Sequence, residues 1–211
     1  MSKPREQIND WLKTIDVTGK TVLDVGAGRP RAWLFPPEDE GSQKVSGKPL
    51  AYHTADIDEQ WGCDYELDLN SDKSVRQALA EYKSDCGEAI FVVKTFDYVF
   101  CLETLEHIYD PIQTIKNLAE ITEEKLFITV PFINPVHDVY DFLRYTSQWF
   151  EKVLPQFGFT QVHIKQRPAT NGKEELHEFY RKEGMRMSKI SRKLGFSKNY
   201  FDVGYSITAI K

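Results

Sequence analysis

The chain has 211 residues, 41% of them hydrophobic and 28% charged, the balance of a soluble globular protein large enough to bury a substantial core within one domain. Its 27 basic and 32 acidic side chains leave a net charge of −5, which argues against a general nucleic-acid binder. Cys63, Cys86 and Cys101 are odd in number, widely spaced and form no CxxC pair or zinc pattern, so a reducing cytoplasm is expected; the polar Met1–Asp10 lacks the apolar core of a signal peptide, and no run approaches a membrane span.

Taken in order, Pro4–Thr14 reads as a short helix with Ile8, Trp11 and Leu12 on one face. A turn at Gly19 leads into the first strand, where Val22, Leu23 and Val25 suit a buried parallel strand. Gly26 and Gly28 follow and let the backbone turn sharply and approach a ligand. Asp24 is costly near the end of a buried strand unless it is satisfied; the amides of the glycine turn and a cationic ligand are the expected partners. Arg29–Gly47, with Pro30, Pro36, Pro37, Gly41 and Gly47, reads as loop apart from a brief helical stretch near Arg31–Phe35. Leu50–Ile57 is the second strand and Tyr65–Leu69 a short third. Lys73–Tyr82 is helical by the spacing of Val75, Leu79 and Tyr82, and Phe96–Leu102 is a buried fourth strand. Pro111–Thr122 is a helix capped by Asp110, and Leu126–Val130 a fifth strand. Ser147–Phe157 is a helix ended by Gly158, and Thr160–Lys165 and Val203–Ile210 are the last two strands.

Strands alternating with helices imply an α/β fold, an open and mostly parallel sheet covered on both faces. Ligands then sit beyond the carboxyl ends of the strands. Asp24 with Gly26, Ala27 and Gly28 ends strand one, Asp56 and Asp58 end strand two, Asp68 ends strand three and Glu103 follows strand four. Four acidic strand ends on one rim suit a cationic ligand better than a phosphate. The position of the third glycine of a dinucleotide fingerprint is Arg31, which disfavours a nicotinamide-dependent dehydrogenase.

Asp24-Val25-Gly26-Ala27-Gly28 resembles the first motif of class I S-adenosylmethionine (SAM)-dependent methyltransferases. Phe96–Pro111, with Phe-Asp, an apolar strand, Leu-Glu-His and a run to Asp-Pro, is similar to the fourth-strand signature of that superfamily. Leu126–Pro131 resembles its fifth-strand motif, Phe157-Gly158-Phe159 the Gly-Phe before its sixth strand, and His137–Thr146 a segment of small-molecule methyltransferases. The matches cover roughly residues 20–160 in the expected order; the third glycine of the family's longer pattern is Pro30 here. The resemblance implies a Rossmann-like sheet of seven strands with helices on both faces and a C-terminal antiparallel strand, forming one domain over residues 1–211.

It further implies SAM as methyl donor and a small-molecule acceptor, methylated at oxygen. Asp56, followed by Ile57, is expected to take the ribose hydroxyls in preference to Asp58, because it closes the apolar run. Asp68 and the backbone of Leu69 are expected at the adenine, and Cys101, Leu102 and Glu103 at the methionine end. His107 and His137 are the candidate bases for the acceptor hydroxyl. Asp141 and Arg144 are expected to pair with each other, and Tyr140 and Tyr145 either wall the acceptor pocket or cover the sheet. Glu103, Glu106 and His107 share the spacing of a Glu-x-x-Glu-His motif that binds a divalent ion in ubiquinone-pathway and small-RNA methyltransferases, where His137 would add a further ligand; the expectation is nonetheless a metal-free enzyme. The alternatives are a non-catalytic SAM-binding or scaffolding protein and a metal-dependent 2′-O-methyltransferase of RNA.

Arg167–Asn199 interrupts the last two strands. Met187, Ile190 and Leu194 share a helical face, and residues 181–198 hold seven Lys or Arg and a single acid, Glu183. A helical insertion over about 167–199 is expected, serving as a solvated lid or as a guide for an anionic acceptor.

Overall fold

In the computed structural model, which describes residues 3–28, 34–36, 43–85, 88–132, 139–168 and 202–211, the chain opens with helix α1 (Lys3–Leu12) and enters strand β1 (Thr21–Val25). Strands β2 (Ala51–Asp56) and β3 (Tyr65–Glu66) follow, then helix α2 (Asp72–Ala78) and the strands β4 (Ala80–Asp85) and β5 (Glu88–Val93). Strand β6 (Phe96–Leu102), helix α3 (Pro111–Ile121), strand β7 (Thr122–Pro131), helix α4 (Ser147–Val153) and strands β8 (Gln161–Pro168) and β9 (Asp202–Ile210) complete the order.

Seven strands form one sheet in the order β3-β2-β1-β6-β7-β9-β8. The pairs from β3 through β7 are parallel, and β9 runs antiparallel between β7 and β8. The order reverses at β1, with β2 on one side and β6 on the other, and such a switch point opens a crevice beyond the strand ends.

Pleating distributes the core over two faces. On one, Leu23, Val25, Val99, Cys101, Leu126 and Ile128 pack with Ile115 and Leu118 of α3 and Phe150 and Val153 of α4. On the other, Val22, Tyr98, Phe100 and Phe127 pack with Ile8, Trp11 and Leu12 of α1. Each fully buried Leu or Phe in these layers contributes about 1.5–3 kcal/mol relative to exposure.

Local signals set several boundaries. Asp110 caps α3 by accepting from the Gln113 amide at 3.0 Å, with Pro111 in the first turn. Ser71 caps α2 in the same way on Ser74. The expected helix Ser147–Phe157 is α-helical only to Val153. Pro155 then has no amide to continue the ladder, and a 3₁₀ turn over Leu154–Phe157 ends on Gly158 at φ 91°.

The expected helix Lys73–Tyr82 is a correction. It stops at Ala78, because Ala80–Asp85 pairs antiparallel with Glu88–Val93, from Ala80↔Val93 to Asp85↔Glu88. The helical spacing of Tyr82 carried no sign of a strand partner lying downstream. Strand β3 is likewise shorter than Tyr65–Leu69: the Leu67 amide reaches the Asp56 carbonyl at 2.7 Å, and the chain then turns at Asp68. Arg167 and Pro168 belong to β8, and the remainder of the expected helical insertion lies outside the described residues, as do His137 and Arg31. No helix among the described residues is long and apolar enough to cross a membrane.

Candidate functional site

The glycine turn at the carboxyl end of β1 is built by close approach. Gly26 has φ 71°, and a Cβ there would lie 2.3 Å from Thr104 Cγ2, just after β6. The Gly26 and Ala27 amides both donate to the Ala55 carbonyl, at 2.8 and 3.2 Å, which pins the turn to the end of β2. The Gly28 amide donates to Asp56 Oδ2 at 2.9 Å, while Asp56 Oδ1 accepts from the Asp58 amide at 3.1 Å. Asp56 is therefore a buried carboxylate facing the glycine turn across the switch point. Asp58 caps the 3₁₀ turn Glu59–Trp61 through the Gln60 amide, and Ile57 between them is exposed.

Asp24 departs from the expected pairing. The amides of the turn go to Ala55 and Asp56, and Asp24 Oδ2 instead accepts from the Tyr52 hydroxyl at 3.0 Å. Asp24 shares the pleat of Val22, on the face covered by α1. Asp24 is 3% exposed, and this burial pushes its carboxyl up from 3.8 to about 7; the Tyr52 hydrogen bond opposes the rise and the charge of Asp56 adds to it.

Asp68 Oδ1 accepts from the Asn70 amide at 2.9 Å and from Asn70 Nδ2 at 3.0 Å, a side-chain turn that shapes the loop after β3. Leu69 is held from beneath by α3: its carbonyl accepts from Thr114 Oγ1 at 3.2 Å and Asn117 Nδ2 at 3.0 Å, and both side chains are fully buried. Sequence reasoning missed Thr114 and Asn117. The available signal was two polar residues within the apolar face of an otherwise amphipathic helix.

Cys101 and Leu102 are buried at the end of β6, and burial pushes the Cys101 thiol far up, so it is no thiolate nucleophile. Glu103 is the one non-glycine residue with positive φ, 49°, among the described residues. Its amide donates to the Thr129 carbonyl at 2.9 Å and to Thr129 Oγ1 at 3.0 Å, and its Oε1 accepts from Arg167 Nη2 at 2.8 Å.

Glu106 is 1% exposed, with Oε2 lacking a partner among the described residues. Burial first, and the neighbouring Glu103 charge second, push its carboxyl up to about 8. His107 Nδ1 lies 3.2 Å from the Tyr140 carbonyl and its Nε2 3.8 Å from Glu106 Oε1. Asp141 and Arg144 do pair, through Nη1 and through Nη2 at 2.7 Å. Tyr145 is buried and donates to the Leu105 carbonyl at 3.1 Å, so it covers the sheet, whereas Tyr140 is 65% exposed. The 140–145 segment is thus stitched onto the loop after β6, also by the Phe142 amide on the Glu106 carbonyl at 2.9 Å.

The turn after β1, Asp56, the Asp68–Leu69 loop and the Leu102–His107 loop share the carboxyl rim of the sheet. Of the Glu-x-x-Glu-His residues, Glu103 accepts from Arg167 and His107 Nδ1 faces a backbone carbonyl, and His137 lies outside the described residues. Among the described residues no three His, Cys, Asp or Glu side chains group closely enough to hold an ion.

No family model matches the chain. It is 26% identical over 210 residues to a ubiquinone biosynthesis O-methyltransferase of Aromatoleum aromaticum, covering 97% of this chain and 81% of that protein. A protein of the same description from Nitrosospira multiformis is 28% identical over 159 residues, 73% of this chain and 62% of its own length. Among solved structures, a SAM-dependent methyltransferase from Archaeoglobus fulgidus superposes with a TM-score of 0.54 at 16% identity, over 99% of this chain and 92% of the other. The fold is the Rossmann-like fold of that enzyme class.

Proposed function

We propose that the chain, a SAM-dependent methyltransferase of the class I fold, transfers a methyl group to an oxygen of a small-molecule acceptor. The curated relatives support oxygen as the acceptor atom, since they are named as O-methyltransferases. SAM supplies an activated methyl group, which leaves the protein to bind, align and remove a proton. The net charge of −5 supports a small molecule over nucleic acid as partner, and the unpaired thiols of Cys63 and Cys101 support a cytoplasmic setting.

Asp56 takes the ribose hydroxyls, and the Gly26–Gly28 turn and Ala27 flank the donor. Asp68 and the Leu69 backbone read the adenine edge. Leu102 and Glu103 line the methionine end above buried Cys101. His107 accepts the acceptor's hydroxyl proton at Nε2. The Tyr140 carbonyl can only accept, so Nδ1 carries the hydrogen and Nε2 keeps its lone pair. His137 is the second candidate base. No step passes through a metal.

The observation that carries this reading is the Gly28–Asp56 hydrogen bond, which holds an acid against the glycine turn at the sheet's switch point. Calorimetric titration with SAM tests it. Asp56→Ala should weaken binding by about 1.5–3 kcal/mol, the scale of hydrogen bonds to a charged group. Asp58→Ala, which removes a cap from an exposed turn, should bind as the wild type does. Wild-type affinity in Asp56→Ala with loss in Asp58→Ala would refute the assignment.

A further inference from the structure

Arg167 lies near the end of β8, opposite Gly204 of β9, which in turn pairs with Pro131 at the end of β7. It is 2% exposed. Its guanidinium runs across Gly204 toward the carboxyl rim, where Nη2 donates to the Val130 carbonyl at 2.5 Å and to Glu103 Oε1 at 2.8 Å. The crossing needs glycine: a Cβ at position 204 would stand 2.0 Å from Arg167 Nη2 and 2.5 Å from the Val130 carbonyl oxygen.

A buried cation is expensive unless paired, and this one is spent on a residue in an unfavourable conformation. Glu103 holds φ 49°, a region that non-glycine residues occupy when the surroundings over-determine them. Three bonds do so here: two from its amide to Thr129, and one from Arg167 to its carboxylate. The next residue, Thr104, is the one whose side chain fills the space beside Gly26. A continuous line of contacts therefore runs from β8, through Arg167, Glu103 and Thr104, to the turn after β1.

We propose that Arg167 is a positioning residue of the methyl-donor site: its guanidinium, passing over Gly204, clamps Glu103 in the left-handed conformation that forms the methionine end of that site. The inference rests on the reading of Glu103 at the methionine end. Arg167 acts on the site through its bond to Glu103, which distinguishes it from a residue that merely fills the sheet.

The test is SAM titration of the full chain in wild type, Arg167→Met, Arg167→Lys, Gly204→Ala, Glu103→Ala and the Arg167→Met/Glu103→Ala double variant, with thermal unfolding recorded alongside. Arg167→Met should raise the SAM Kd about tenfold, equivalent to about 1.4 kcal/mol. Gly204→Ala presses on the guanidinium and on the Val130 carbonyl, so it should raise Kd in the same direction, and Arg167→Lys, which keeps the buried cation but shortens its reach, carries the test if either variant does not fold. In the Glu103→Ala background Arg167→Met should change Kd by less than about twofold, because the clamped side chain is already gone. A loss of melting temperature with unchanged Kd in Arg167→Met and Gly204→Ala would overturn the proposal, as would an equal effect of Arg167→Met with and without Glu103→Ala. Failure of the wild type itself to bind SAM would instead overturn the functional reading, and the inference with it.

Discussion

Replacing Gly26 by alanine should destabilise the protein by about 2–5 kcal/mol, and the structure divides this figure into two parts. A Cβ at φ 71° forces alanine into the left-handed region, at a cost of about 1–2 kcal/mol. The same Cβ would lie 2.3 Å from Thr104 Cγ2 and 2.4 Å from Thr104 Oγ1, well inside contact distance. Thr104 cannot simply rotate away, because its hydroxyl donates to the Leu102 carbonyl at 3.0 Å. Overpacking of this kind costs about 1–3 kcal/mol. Urea unfolding followed by circular dichroism measures the sum. Adding Thr104→Ala should recover part of the packing cost, since it removes the two nearest atoms while Thr104 Cβ stays 2.9 Å away, and it should leave the backbone part in place. Wild-type stability in Gly26→Ala, or strictly additive effects of the two substitutions, would refute the reasoning.

Asp24 predicts a pH dependence of stability. Its carboxyl titrates at about 7 in the folded protein and near 3.8 in the unfolded chain, so between these values the folded state holds a proton that the unfolded state has released. Unfolding stability then falls as pH rises through this window and levels off above it, with a ceiling on the order of 4 kcal/mol. Asp24→Asn should therefore lose less stability than the wild type between pH 5 and pH 8 in urea melts; parallel slopes would show that Asp24 does not hold its proton. Asn117→Ala should cost about 1–3 kcal/mol, because Leu69 loses one of two donors to its buried carbonyl and Gln113 Nε2 loses its acceptor. It should also weaken SAM binding through the Leu69 loop, and a variant with wild-type stability and affinity would remove Asn117 from that role.

Much of the rim was legible one residue at a time. β-branched and aromatic runs at 21–25 and 96–102 announced buried strands, Asp110-Pro111 announced a helix start, and Asp56 at the close of an apolar run pointed to the acid that meets the glycine turn. These signals are local: each depends on side-chain periodicity, a fixed φ or a cap within a few positions. The short run Tyr65–Glu66 and the pairing of Ala80–Asp85 with Glu88–Val93 were harder, since strand extent depends on a partner that local spacing does not contain.

Local chemistry set the order of the seven strands of the main sheet, the glycine turn and the acidic strand ends, because these follow from what neighbouring residues settle among themselves. Tertiary structure alone decided which groups those acids meet. Asp24 is satisfied by Tyr52, 28 positions away, and not by the adjacent turn. Leu69 rests on Thr114 and Asn117, 45 and 48 positions away. Glu103 is held by Arg167, 64 positions away, across a glycine on a third strand. Buried polar groups must find partners wherever the fold brings donors and acceptors together, and sheet topology, not proximity along the chain, chooses those partners.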